Sequence, residues 1–295
     1  MKGILKNIPL AFKVLLLLSL MLAGVYAAIL AVSAFSLDPV KDIKLIQTLS
    51  AFGMFIVPVL IAAFLCNRNP ISDFQANIAL SRKSASRVIC ASLTLLPCIN
   101  LIHYYNKLLR LPAWLSGVEK WMTEMEEMAE QAMELMLQTN SIDGLLINIL
   151  IVAVLAALSE EFLFRGLLFR WLRDSISNYH WTIWIIAILF SAIHMQFYGF
   201  IPRLLLGAYL GYLLVWTGSL WAPILAHFVN NLMGVLLYYR YAGGEEEYMM
   251  EVGTGQTIWF AAAGAVIFIA CFHKIWQERV AERLPLNSTL PEEES

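Results

Sequence analysis

The sequence predicts an all-α polytopic membrane protein, a bundle of about eight transmembrane helices. Of its 295 residues, 60% are hydrophobic and only 14% are charged, whereas soluble domains carry about 25% charged residues. The mean hydropathy is +0.69. The apolar residues form long continuous runs rather than the alternating segments of about ten residues that build an outer-membrane barrel. The net charge of −2 carries no information about nucleic acid, but the sequence shows no basic patch, so nucleic acid is not an expected partner. The long apolar runs make the lipid bilayer the expected surrounding.

Eight apolar runs are candidates to cross a bilayer, whose hydrocarbon core requires about 20 helical residues. The first follows Lys2, Lys6 and Lys13 and resembles a signal peptide. Because its apolar run exceeds the usual signal core of about 7–15 residues, we interpret it as a retained first helix. The predicted spans are 10–35, 46–66, 86–103, 144–169, 181–198, 201–216, 221–239 and 257–273.

The basic residues of the loops predict the orientation. With a cytoplasmic N-terminus, twelve Lys and Arg residues fall on the cytoplasmic side and seven fall outside, with Arg165 counted as intramembrane. Because positive loops stay in the cytoplasm, this bias favours an N-in, C-in topology. The acidic clusters "TEMEEMAEQAMEL" (123–135) and "GGEEEYMME" (243–251) then both lie outside.

Three regions follow from these patterns. Residues 1–143 hold the N-terminal helices, residues 144–240 hold the polar core of the later helices, and residues 241–295 hold the last span and a polar tail. Within the first region, 117–139 is predicted to be an amphipathic interfacial helix that packs on the bundle, or a Met-lined surface near a substrate entrance. Its apolar stripe consists of Trp121, Met125, Met128, Ala132 and Met136.

Charged side chains interrupt the fourth span. The segment "LSEEFLFRGLLFR" at 158–170 directly follows an apolar run, and a charge at mid-bilayer costs about 2.5–3.5 kcal/mol on insertion scales. Glu161 and Arg165 are four residues apart, so they share one helix face and can pair. Glu160 is left without a local partner, which indicates a functional site. Arg203, near the start of its span, is instead expected to extend to the outer interface.

Two other helices carry polar rows at the same spacing. Phe190 and His194 are at i and i+4, and so are His227 and Asn231. At a rise of about 1.5 Å per residue, Glu160 and His194 each lie about 20 Å from the cytoplasmic end of their helices and can meet. His227 fits this depth less well, unless the preceding turn "WTGSL" enters the membrane.

Together these residues suit peptide hydrolysis. Glu160 can act as general base for a water, His194 can orient that water, and His227 and Asn231 can donate to an oxyanion. A second mechanism uses His194, His227 and Glu160 as zinc ligands with water in the fourth position, although the sequence contains no HExxH motif. These residues leave the metal-free and the zinc mechanism open.

Three motifs in order carry a family resemblance: "EEFLFR" (160–165) matches EExxxR, "FSAIH" (190–194) matches FxxxH, and "HFVNN" (227–231) matches HxxxN. The chain resembles, over roughly 144–240, the CAAX-prenyl-protease and bacteriocin-processing (CPBP, or Abi) family of intramembrane proteases, which includes the Rce-type enzymes. The resemblance implies an endopeptidase for a peptide or membrane-protein tail, in a bacterial inner membrane or, in a eukaryote, the endoplasmic reticulum. It places Glu160, His194, His227 and Asn231 in catalytic positions, with Glu161, Arg165 and Phe190 supporting.

Two other functions fit the same residues. A non-proteolytic regulator or bacteriocin-immunity protein on this scaffold would use them for helix packing or peptide binding. A proton-coupled transporter would use the buried acids and histidines as a relay, but the inverted repeats common in transporters are not found in the sequence. The sequence does not determine the substrate or the oligomeric state.

Overall fold

The computed structural model of the protein describes residues 2–241 and 252–278, and the described residues are helices joined by turns and loops, without strands. The acidic cluster at 243–251 and the polar tail after residue 278 lie outside the described residues. The helices are α1 (Leu10–Ala34), α2 (Ile43–Cys66), α3 (Arg82–Lys107), α4 (Ser116–Leu137), α5 (Ile142–Arg173), α6 (Tyr179–Ala192), α7 (Phe200–Thr217), α8 (Trp221–Tyr241) and α9 (Ile258–Gln277).

The architecture confirms an all-α polytopic membrane protein. Within the described residues, seven helices are long and apolar enough to cross a membrane. The helix in the predicted span 181–198 is an exception, because α6 has only 14 residues and is about 21 Å long. It ends before His194, and the chain turns at Met195, which has a positive φ of 54°.

The helices that carry the polar rows are neighbours. Helix α8 packs against α3, α5 and α7, and α6 forms a closely packed pair with α7. Glycine permits the closest contacts of that pair: a Cβ on Gly211 would lie 2.9 Å from the side chain of Ile183, and one on Gly207 would lie 3.2 Å from Ala187. This close approach brings the backbone of α7 within reach of side chains on α5.

Helix α5 is irregular on both sides of its acidic pair. Two π-helical segments, Ile149–Leu155 and Phe162–Leu168, flank the α-helical turns Ala156–Glu161. A π-helical segment changes the angular direction of the side chains that follow it, and such segments are frequent at functional sites. Glu160 and Glu161 therefore lie at the end of a short α-helical stretch between two π-helical segments.

The turn between α7 and α8 is anchored by the loop that follows α2. Gly218 takes a left-handed conformation with φ 65° and ends α7. The N–H of Leu220 then donates to the carbonyl of Gln75 at 3.2 Å, and the indole of Trp221 donates to the carbonyl of Ala76 at 2.9 Å. These bonds fix where α8 begins, and with it the height of His227.

Helix α4 has the predicted length, and its apolar stripe is only partly buried. Of the stripe, only Met136 is buried, while Met128 is 63% exposed; Glu126 is also buried, with 6% exposure. The contact face of α4 thus includes a carboxylate that the apolar stripe did not indicate. Glu126 can be buried because its Oε2 accepts the backbone N–H of Tyr198 at 3.2 Å, which satisfies the carboxylate as an apolar contact could not.

Burial also raises the pKa of Glu126 above its ordinary value of 4.5. The Tyr198 N–H lowers this pKa, Glu130 raises it, and Arg203 and Lys107 lower it by smaller amounts. The state in which α4 is docked favours the protonated form of Glu126. Docking of α4 is therefore most stable below about pH 4.5 and becomes less stable as the pH rises through the raised pKa of Glu126.

We therefore expect residues 116–137 to exchange amide hydrogens more slowly at about pH 5 than at about pH 8, after correction for intrinsic rates. In Glu126→Gln the difference should disappear, because a neutral amide oxygen still accepts the Tyr198 N–H. The control is Glu127→Gln at the exposed neighbouring position. A pH difference that persists in Glu126→Gln would show that another group controls docking.

Candidate active site

Glu160 faces two histidines from other helices. Its Oε2 lies 4.0 Å from Nε2 of His194 and 3.9 Å from Nε2 of His227. The atom is buried and has no hydrogen-bond partner among the described residues. Distances near 4 Å are too long for direct hydrogen bonds but allow one small molecule, such as water, to bind all three atoms. The structure thus brings together the three residues predicted to activate water.

The partners of the two histidines determine which ring nitrogen carries a proton. Nδ1 of His194 lies 2.7 Å from the carbonyl oxygen of Phe190, which can only accept. Nδ1 of His227 lies 2.8 Å from Oε1 of Glu161. We therefore assign a proton to Nδ1 of both rings. Nε2 of the neutral His194 ring then presents a lone pair toward Glu160, while Nε2 of His227 carries a second proton when the ring is an imidazolium balanced by Glu161.

Glu161 and Arg165 form the predicted ion pair, with Nη1 and Oε1 2.9 Å apart and both side chains fully buried. Nη2 of Arg165 also donates to the carbonyl of Gly207 at 2.7 Å, which connects α5 to α7. Glu161 Oε1 thus accepts from both Arg165 and His227. The second contact was not predicted: Glu161 orients a candidate catalytic histidine as well as compensating the arginine.

Phe190 lies between the charged pair and the histidines. The guanidinium carbon of Arg165 is 4.8 Å from the centroid of its ring, a distance typical of a cation–π contact. The ring centroids of His194 and His227 are 5.1 and 5.8 Å away, in edge-to-face geometry. This fully buried ring therefore packs against Arg165 and both imidazoles and helps to fix their positions.

Asn231 lies on the same face of α8 as His227, one turn further along. Its Nδ2 donates to the carbonyl of Val152 in the first π-helical segment at 3.0 Å, and its Oδ1 accepts from Asn230 at 3.3 Å. One N–H of the amide is thus used to hold α8 against α5. The predicted oxyanion role depends on the other N–H of this amide.

Arg203 lies on the first turn of α7 and is bound by the loop after α6. Its Nη2 donates to Oε1 of Gln196 at 2.8 Å and its Nη1 to the carbonyl of the same residue at 3.3 Å. The carboxylates of Glu160 and Glu126 both attract the guanidinium. The loop after α6 therefore supplies polar partners for this charged side chain.

The loop between α6 and α7 is held by the end of α3 and by α4. Nδ2 of Asn106 donates to the carbonyls of Phe197 and Tyr198, and the hydroxyl of Tyr198 is 3.1 Å from that of Thr123. The rings of Trp121 and Phe197 pack with centroids 5.1 Å apart. Helix α4 therefore covers the loop that carries His194, although no sequence pattern connected these two segments.

The donor set does not fit a zinc ion as it is placed. Within the described residues, no group of three or more His, Cys, Asp and Glu side chains is arranged to hold a metal ion. Tetrahedral zinc with bonds of about 2.0–2.1 Å requires donor atoms about 3.3 Å apart, whereas Glu160 Oε2 lies 3.9 and 4.0 Å from the two histidine nitrogens. We therefore derive no step through a metal.

An apolar cavity of about 480 Å³ lies beside the acidic pair. Its walls come from α5, α8 and the start of α3. Ala157 in the wall is three residues from Glu160, and Ile224 is three residues from His227. The cavity is suited to a hydrocarbon chain or to apolar side chains. The residues that line it are Leu80, Ala85, Val154, Ala157, Leu158, Trp221, Ile224, Leu225 and Phe228.

Comparison with known proteins finds a family model that matches this site. Residues 142–233 match the family model described as "Type II CAAX prenyl endopeptidase Rce1-like". This segment is therefore similar to the Rce1-like family. The matched range includes all the predicted catalytic and supporting residues, from Glu160 to Asn231. The apolar helices and this match support an integral membrane protein.

Two curated relatives are similar over part of the chain. An Escherichia coli protein named "Uncharacterized 24.3 kDa protein" is 31% identical over 115 residues, which are 37% of this chain and 52% of the relative. The Bacillus subtilis "Uncharacterized protein YpbD" is 31% identical over 86 residues, 28% of this chain and 41% of the relative. The chain thus spans about half the length of these relatives. No solved structure matches the chain.

Proposed function

We propose that this protein is an intramembrane endopeptidase that hydrolyses a peptide bond near the end of a peptide or membrane-protein tail, with Glu160 as general base. The observation that carries the proposal is the convergence of Glu160 Oε2 with Nε2 of His194 and His227 at 4.0 and 3.9 Å. The similarity of residues 142–233 to the Rce1-like family supports it, and so does the apolar cavity beside the acids.

In the proposed reaction, Oε2 of Glu160 takes a proton from a water whose other hydrogen is donated to Nε2 of His194. The water oxygen attacks the carbonyl carbon of the peptide bond, and the carbonyl oxygen becomes an oxyanion. The protonated Glu160 then transfers the same proton to the leaving nitrogen as the carbon–nitrogen bond breaks. His194 thus orients the water while Glu160 carries the proton.

His227 must be protonated to stabilise the oxyanion, because its Nδ1 hydrogen is donated to Glu161. As an imidazolium it donates Nε2–H to the oxyanion while Glu161 balances its charge, as the aspartate does for histidine in serine-protease triads. The second N–H of Asn231 adds a donor one helical turn away. These donors act where charge develops in the transition state.

The proposal is tested with purified protein in detergent and a peptide library that includes prenylated and unmodified tails ending in a free carboxylate. Mass spectrometry of the products should identify cleavage at one internal bond. If no peptide is cleaved by protein that retains its thermal transition, the regulator or immunity function replaces the protease.

The metal-free mechanism makes a separate prediction, because the donor spacing does not fit zinc. We expect cleavage to persist after dialysis against a strong chelator, and elemental analysis to find far less than one zinc per chain. Stoichiometric zinc that is lost together with activity, and restored with it, would instead establish His194, His227 and Glu160 as metal ligands.

A further inference from the structure

Arg203 is a cation beside the candidate active site that the proposed reaction does not use. It lies on the first turn of α7, within a membrane-spanning helix, where a charged side chain is costly and marks a functional site by default. Its guanidinium lies against the backbone of Gly199, since a Cβ on that residue would be 3.0 Å from Nη2. The guanidinium of Arg203 is therefore held against the loop that also carries His194.

The guanidinium is held by hydrogen bonds but forms no ion pair among the described residues. Both of its hydrogen bonds go to uncharged oxygens of Gln196, and among the described residues no carboxylate forms an ion pair with it. The carboxylates of Glu160 and Glu126 attract it from beyond ion-pair distance. The N-terminus of α7 adds partial positive charge at the same place. Since neither carboxylate contacts the guanidinium, an anion that forms direct hydrogen bonds to it competes successfully with both.

We propose that Arg203 binds the free C-terminal carboxylate of the substrate, which makes it a specificity-determining residue of the endopeptidase. This inference rests on the proposed function. A guanidinium can bind a carboxylate through two parallel hydrogen bonds, which a lysine cannot reproduce. With the C-terminus of the substrate bound at Arg203, the substrate peptide bond beside Glu160 lies at a fixed distance from that C-terminus. The enzyme then selects tails with a free carboxylate and rejects amidated or extended chains.

The test uses two farnesylated, quenched fluorescent peptides that differ only in a C-terminal carboxylate or carboxamide. Full-length protein in lipid nanodiscs is assayed for kcat/KM, and binding is measured with Glu160→Gln. A charge-assisted hydrogen bond corresponds to about a ten- to hundredfold difference in affinity. We expect the acid peptide to be bound and cleaved better by that factor, and Arg203→Gln to lower its kcat/KM to that of the amide peptide.

Two further variants separate binding from structure. Arg203→Lys should recover only part of the preference for the acid, and Arg240→Gln, a charge-matched change at an exposed position of α8, should retain the preference. Equal use of acid and amide by the unmodified protein overturns the inference, while cleavage that depends on Glu160 leaves the proposed function intact. Loss of both substrates in Arg203→Gln also overturns it, since that outcome indicates a structural role. Selective binding of the acid without any cleavage supports the carboxylate site and contradicts the endopeptidase.

Discussion

Replacing Glu160 with glutamine is expected to lower kcat/KM for peptide cleavage by about a hundred- to ten-thousandfold, the usual contribution of a general base. The amide retains the size of the carboxylate but cannot take a proton from water. Folding should be unimpaired, because Oε2 has no partner to lose among the described residues. Cleavage rates and the thermal unfolding midpoint, measured on the same preparation, check both expectations.

The matched control for this change is Asp143→Asn in the first turn of the same helix, an exposed position distant in sequence from the acidic pair. It removes one carboxylate from α5 without altering the site, so cleavage should continue at the original rate. Equal activity of Glu160→Gln and the unmodified protein would exclude Glu160 as the base, and with it the proposed mechanism.

Removing Glu161 alone is expected to cost about 3–5 kcal/mol of stability, because Arg165 remains as an unpaired buried charge. The pair is fully buried and its two charged atoms are 2.9 Å apart, so water cannot easily solvate the remaining arginine. We expect Glu161→Ala to lower the thermal midpoint strongly and to abolish cleavage. A midpoint close to that of the unmodified protein would show that the arginine finds another partner.

The double variant Glu161→Leu/Arg165→Met separates the two roles of the acid. Replacing both charges with apolar residues of similar volume should return much of the stability. Cleavage should stay low, because Nδ1 of His227 loses the acceptor that fixes its ring. Recovery of stability and activity together would mean that Glu161 serves only to neutralise Arg165.

Spacing along one helix predicts a contact only between residues of that helix. The i, i+4 positions of Glu161 and Arg165 were sufficient to predict their ion pair, which the structure confirms. The bond from His227 to Glu161 depends on the register between α8 and α5. That register is set by the loop after α2, through the carbonyls of Gln75 and Ala76, and no periodic pattern contains this information.

The sequence patterns did not predict the partners of two polar side chains, Arg203 and Glu126. Arg203 was expected to extend to the outer interface, and Glu126 was only one residue of the amphipathic segment 117–139. Both bind to the loop after α6, namely to Gln196 for Arg203 and to the N–H of Tyr198 for Glu126. Loops carry few regular signals, so the structure was required to find these contacts.

The short α6 has a consequence for the surrounding lipid. A helix of 14 residues covers about 21 Å of a hydrocarbon layer about 30 Å thick. The remaining depth is occupied by an irregular loop whose backbone must be satisfied by protein groups such as Asn106. Lipids beside α6 therefore meet a shorter apolar wall than lipids elsewhere, and the bilayer is expected to thin there. Such thinning would bring aqueous solvent, and the end of a soluble tail, closer to His194.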